Sequence, residues 1–160
     1  MCFYTFVKRD ARNEQGLRNE ENTWIGHYNC GGYALRTFSW YCPCEDKEND
    51  GNYFIANNEE ELELITQKCI KKMLKDFSGL RVIGNLKELE KNEYAIAFRI
   101  GGEYDDFHYC VRKTNGHWYQ KCGACPIEKV SKNYVFNEIW QDPFRINRYI
   151  GRVVLLAKTF

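Results

Sequence analysis

The segment FHYCVRKTNGHWYQK at residues 107–121 alternates apolar and polar positions on either side of Asn115 and Gly116, two residues that tolerate the positive φ of a tight turn. Phe107, Tyr109 and Val111 fall on one face of its first half, and His108, Cys110 and Arg112 on the other. The pattern therefore predicts an antiparallel hairpin with an imidazole held inside a strand. Outward from this hairpin the period of two begins after Gly79, predicting strands at 80–83, 94–100, 107–113, 117–121 and 150–157. Before Gly79 the period is helical. Leu62, Ile65, Cys69, Met73 and Phe77 make one stripe of a helix over 59–77, capped by Asn58, with Glu61 three residues later and an acidic first turn. Tyr33, Ala34, Phe38 and Tyr41 predict a second helix from Cys30 to Tyr41, ended by Cys42 and Pro43. Residues 1–23 read as a short first strand and a surface loop, and 45–52 (EDKENDGN) as a charged connection. Helices followed by antiparallel strands make an α+β fold, with N-terminal helices packed on a C-terminal antiparallel sheet.

A chain of 160 residues suits a single domain, 1–160, and can bury a core without cross-links. Its 44% hydrophobic and 28% charged residues exclude the disordered class. A net charge of +1, with Lys and Arg spread along the chain, argues against nucleic acid as a partner. No stretch has the length of a membrane span, and the apolar start MCFYTFVKRD is too short for a signal-peptide core, so a cytoplasmic location is expected. The eight cysteines then read as thiols. Cys122 and Cys125 have zinc-knuckle spacing, and with Cys42 and Cys44 they offer a four-thiolate set. The short C-P-C spacing weighs against it, and no metal or cofactor is expected. Cys69, on the helical stripe, is assigned to core packing.

Two residues stand out for chemistry. Cys30 opens the shorter predicted helix, where backbone N–H groups and the dipole favour a thiolate, and Gly31 and Gly32 leave room for a carbonyl to approach. The alternative is a small buried cysteine whose glycines ease close packing. His108 is rigidly held in its strand and supplies a base. A third group must orient the imidazole, and the neighbouring strand offers Gln120. Register about the turn places residues 122–123 opposite His108, so Gln120 lies on a diagonal and its role depends on a bulge or irregular turn. Asn29, His27 and Gly31 are candidates for the oxyanion hole, although Asn29 and His27 can equally cap the helix.

NCGGYAL at 29–35, DFHYCVRK at 106–113, NGHWYQKCG at 115–123 and DPFRINRYIGRVVL at 142–155 resemble, in order, a group of bacterial and phage proteins. Their pattern is N-C-x-x-Y-A, D-x-H-x-Y-R, G-x-W-S-H-K-P-G, then D-P and a closing tyrosine-glycine strand. The order of cysteine, histidine and polar residue is similar to that of papain-like and NlpC/P60-like cysteine peptidases. The resemblance implies a papain-like domain with Cys30 as nucleophile, His108 as base and Gln120 in place of the histidine of W-S-H-K. Gly32, Trp118 and Asp106 become candidates for substrate contact. Cys122 and Cys125 depart from the pattern, as does Gln120, which brings no charge. The expected function is hydrolysis or transfer at an amide, isopeptide or thioester bond of a peptide, protein or small-molecule substrate. The alternative is a catalytically idle papain-like fold, of phage origin in one version, that binds a host protein or small signalling molecule. A small thiolate-zinc module is the third reading.

Overall fold

Residues 28–37, 39–44, 52–141 and 148–160 are described by a computed structural model. The expected first strand and loop of residues 1–23, His27, Phe38, positions 45–51 of the charged connection and residues 142–147 of the DPFRIN motif lie outside the described residues.

Helix α1 is Cys30–Leu35, six residues rather than the expected twelve-residue reach to Tyr41. Asn29 caps it, its Oδ1 accepting from the Gly32 N–H at 2.9 Å. Arg36 then adopts the left-handed conformation (φ 56°) and the Thr37 N–H donates to the Gly32 carbonyl at 3.1 Å, which reverses the chain. Tyr41 therefore returns to Asn29 instead of continuing the helix. Its N–H donates to Asn29 Oδ1 (3.1 Å) and its carbonyl accepts from Asn29 Nδ2 (2.8 Å). Tyr33, Ala34 and Tyr41 share one core without sharing one helix.

Helix α2, Glu59–Asp76, ends one residue before the expected boundary. Asn58 Oδ1 accepts from the Glu61 N–H at 2.9 Å, and the Glu61 carboxylate reaches back to the Asn57 N–H at 2.8 Å. Thr66, Cys69, Ile70 and Met73 are its buried residues. Asn58→Ala should lower the unfolding free energy by about 1 kcal/mol, the usual cost of losing an N-cap, with the urea m-value unchanged. A denaturant midpoint equal to that of the parent would remove the cap from this account.

The strands are β1 (Leu80–Ile83), β2 (Glu93–Ile100), β3 (Phe107–Arg112), β4 (Trp118–Lys121), β5 (Ile127–Val130), β6 (Trp140–Gln141), β7 (Arg148–Tyr149) and β8 (Val154–Thr159), with a short helix α3 at Lys132–Val135. Six form one antiparallel sheet in the order β1-β8-β2-β3-β4-β5, while β6 and β7 pair separately. The last strand starts at Val154, not at Ile150, and inserts between β1 and β2. β5 was not expected because IEKV carries no alternation. The β3–β4 turn has three residues, Thr114 to Gly116: Lys113 N–H donates to the His117 carbonyl (2.9 Å), and Gly116 takes φ 81°.

Alternation sends the two faces of this sheet to different cores. Ile96, Phe98, Ile100, Phe107, Tyr109 and Leu156 pack with Tyr33, Ala34 and Leu35 of α1 and Cys69 and Met73 of α2. On the other face, Ala95, Ala97, Cys110, Trp118, Leu155 and Ala157 meet Val135, Trp140 and Tyr149. This second layer, built by α3 and the β6–β7 pair, had no counterpart in the predicted architecture. Over the described residues the fold is mixed α+β, with an antiparallel sheet and few helices. Among the described residues no helix is long and apolar enough to cross a membrane.

Candidate cysteine–histidine site

His108 is the second residue of β3 and is 2% exposed. Cys110 pairs with Gln120 in the β3–β4 register, so His108 and Gln120 are diagonal neighbours on one face. His108 Nε2 lies 3.0 Å from Gln120 Oε1. No bulge is needed, because a long side chain spans the diagonal of a regular pairing. On β5, Glu128 stands directly opposite Gln120, and Gln120 Nε2 donates to its carboxylate at 2.5 Å. A carboxylate only accepts, so Glu128 turns the amide N–H toward itself and the amide oxygen toward the imidazole. His108 then donates from Nε2 and carries its acceptor lone pair on Nδ1. Glu128 was not singled out from sequence, since only the unpredicted β5 brings it here.

Two aromatic rings pack on the imidazole. Tyr149 of β7 stacks on it (centroids 5.1 Å apart, planes 24° apart) and Trp140 of β6 meets it edge-on at 6.0 Å. The Tyr149 hydroxyl donates to Asp106 Oδ2 at 2.9 Å. Burial, with Asp106 beside it, pushes that phenol well above its usual range. Asp106, expected to contact substrate, thus fixes the ring that stacks on His108. Its other carboxylate oxygen accepts from the Phe107 N–H at 2.8 Å. Cys122 Sγ is 3.8 Å from His108 Nε2, which makes it a second thiol at the imidazole.

Cys30 arrives from the other core. The Asp106 carbonyl accepts from Gly101 N–H on the β2 side, so by alternation the Phe107 carbonyl points toward β4. β4 has ended at Lys121 by then, and the Cys30 thiol fills the slot, donating to the Phe107 carbonyl at 3.8 Å. The structure therefore joins His108 to Gln120 through side chains and brings Cys30 to the main chain one residue before His108.

Other expected site residues have structural duties. Asn29 uses its amide oxygen on the α1 cap and on the Tyr41 N–H, and one amide N–H on the Tyr41 carbonyl, so its side chain serves the cap that the sequence also allowed it. A Cβ on Gly31 would lie 2.8 Å from the Tyr41 carbonyl oxygen, and one on Gly32 would lie 1.8 Å from that of Ser39. These glycines admit the returning segment, as the packing alternative holds; Gly31 keeps only a main-chain N–H to offer. Trp118 is 2% exposed in the second core, edge-on to Phe136, rather than at a substrate surface.

The thiol pairs also separate. Cys42 and Cys44 have sulfurs 2.6 Å apart, and both pack against the α1–α2 core. Cys122 to Cys125 forms the β4–β5 turn, with Cys125 N–H donating to the Cys122 carbonyl (2.8 Å) and Gly123 at φ 50°. The knuckle spacing is the spacing of that turn. Among the described residues no group of three or more His, Cys, Asp and Glu side chains is arranged to hold a metal ion. A recess of about 270 Å3, bordered by Tyr94, Arg112 and Lys113, sits at the opposite end of β3 from His108 and has no part in the pair. No family model, curated protein or solved structure matches this chain.

Proposed function

We propose that the protein is a papain-like cysteine hydrolase or acyl-transferase acting on an amide, isopeptide or thioester carbonyl. The observation that carries this reading is the Glu128–Gln120–His108 chain, which puts the acceptor nitrogen of the imidazole on Nδ1. In the proposed reaction the Cys30 thiol swings from the Phe107 carbonyl to the imidazole. Its proton passes to Nδ1, and the sulfur attacks the carbonyl carbon. The resulting oxyanion is met by main-chain N–H groups, Gly31 among them. As the tetrahedral species collapses, the imidazolium returns the proton to the leaving amine or thiol, and water or an acceptor nucleophile then cleaves the thioester on Cys30. Neutral Gln120 orients the imidazolium without charge; the Glu128 carboxylate supplies charge one hydrogen bond further out.

Burial favours a second reading. Cys30, His108 and Gln120 are 5%, 2% and 3% exposed, which suits an idle fold that has kept its old site as core. Iodoacetamide mapping near neutral pH separates the two. The hydrolase reading expects Cys30 to be alkylated first, ahead of Cys69, which is fully buried, and Cys110, whose thiol burial pushes well above its usual range. First labelling at Cys69 or Cys110 would overturn it. First labelling at Cys122 would move the nucleophile to the thiol beside Nε2.

A further inference from the structure

Lys121 follows Gln120 on β4, and alternation turns it to the opposite face of the sheet. Continuing the β3–β4 pairing sets it across from Tyr109. The Tyr109 ring lies 3.3 Å from where a Gly31 Cβ would be, so Lys121 lies under the start of α1. Its side chain is fully buried. Nζ donates to the Tyr28 carbonyl, two residues ahead of Cys30, at 2.7 Å, and to the Gly123 carbonyl, and it lies 4.9 Å from the centre of the Tyr28 ring.

An ammonium removed from water is costly, and carbonyls and a ring face compensate only part of that cost. Burial pulls Lys121 down to about 8. The groups that pull it back up are three thiols, Cys30 first, then Cys125 and Cys122. Such coupling is reciprocal: whatever a thiolate at Cys30 does for the proton on Lys121, that proton does for the thiolate. The site needs this charge. α1 has only six residues, its Gly32 N–H is taken by Asn29, and Gln120 is neutral.

We propose that Lys121 is the counter-charge of Cys30, a positioning residue whose buried ammonium stabilises the thiolate formed when the Cys30 proton leaves, without touching the substrate. The ionisable groups around the pair are Tyr28 before α1, Tyr109 and His108 of β3, Cys122 and Cys125 of the β4–β5 turn, and, near Cys30, Tyr149 with Asp106. Lys121 is protonated below about pH 8 and supports the thiolate there; the support fades as the pH rises through that value.

The inference rests on Cys30 being the reactive thiol of the proposed site. Its test therefore reads alkylation, not turnover. Cys30 alkylation by iodoacetamide is followed against pH in the wild type and in Lys121→Met, which keeps the length and removes the charge. At pH 7 the variant should react about tenfold more slowly, with its profile displaced to higher pH, the effect of one nearby opposite charge. Superimposable profiles would overturn the role of Lys121 while leaving a fast Cys30 intact, whereas a slow Cys30 in the wild type fails the site itself. Should Lys121→Met not fold, the reciprocal measurement decides: in Cys30→Ala the lysine side-chain NMR titration of Lys121 should move to lower pH. An unmoved titration rejects the coupling.

Discussion

Cys30→Ala is expected to abolish acyl-enzyme formation, read as loss of the acyl mass adduct after exposure to an activated acyl ester. Its melting temperature should stay near that of the wild type, because a small buried side chain is exchanged for another. Gln120→Ala should be milder, slowing acylation by about a hundredfold, at the low end of what a positioned base contributes. The imidazole stays stacked on Tyr149 and edge-on to Trp140 in that variant and loses only its orienting acceptor. Gln120→His should retain acylation. One ring nitrogen of the new histidine can donate to Glu128 while the other accepts from His108 Nε2, preserving the polarity of the chain. The order Cys30→Ala below Gln120→Ala below Gln120→His is the signature of a nucleophile and its orienter. In the native host, a well-folded Cys30→Ala protein that keeps its full biological effect would sink the hydrolase reading and leave the idle binding fold.

Elements whose burial comes from their own periodicity were legible in the sequence. α2 has a cap, an acidic first turn and a single apolar stripe, so its boundary was read to within one residue. β1 was read without error and β2, β3 and β4 to within a residue, because aromatic and β-branched positions alternate through them. β5 and the β6–β7 pair are short, and partners distant in sequence decide them: Glu128 and Lys129 are strand residues only because Gln120 and Tyr119 offer them a ladder. α1 was read too long for the converse reason. Tyr41 belongs to the same core as Tyr33, and sequence alone does not separate a helix that continues from a chain that turns back to the same surface.

The site divides along the same line. His108 and Gln120 were legible because hairpin register follows from local turn chemistry. The residues that set their chemistry were not, because each arrives from another element: Glu128 by way of β5, Tyr149 from β7, and Lys121 by facing the opposite core from its neighbour. Tyr149 lay within a quoted motif, but only its stacking on His108 gives it a duty. Asn29 was read two ways, as an oxyanion candidate and as a helix cap, and the geometry gives it the cap.

Gly32→Ala carries the largest expected effect on stability, and its outcome also bears on that reading of Asn29. In an isolated helix the substitution would favour folding by up to about 1 kcal/mol, since alanine is the better helix former. Here the added Cβ would lie 1.8 Å from the Ser39 carbonyl oxygen and 2.9 Å from Tyr28 Cβ. The nearest obstacle is backbone, which no rotamer change relieves, so the segment returning over α1 must move. That movement endangers the Thr37 N–H bond to the Gly32 carbonyl and both Asn29–Tyr41 bonds. A net destabilisation of about 3 kcal/mol is expected, at the upper end of ordinary overpacking, which lowers Tm by roughly 6–12 °C in a chain of this size. Gly116→Ala is the internal comparison. Its Cβ would meet only the end of the Arg112 side chain at 3.5 Å, so its cost reduces to the positive φ of 81°, about 1 kcal/mol. Equal melting curves for the two variants would mean that residues 39–41 do not press on α1. The Asn29–Tyr41 bonds would then not hold that segment tightly enough against α1 to matter for stability.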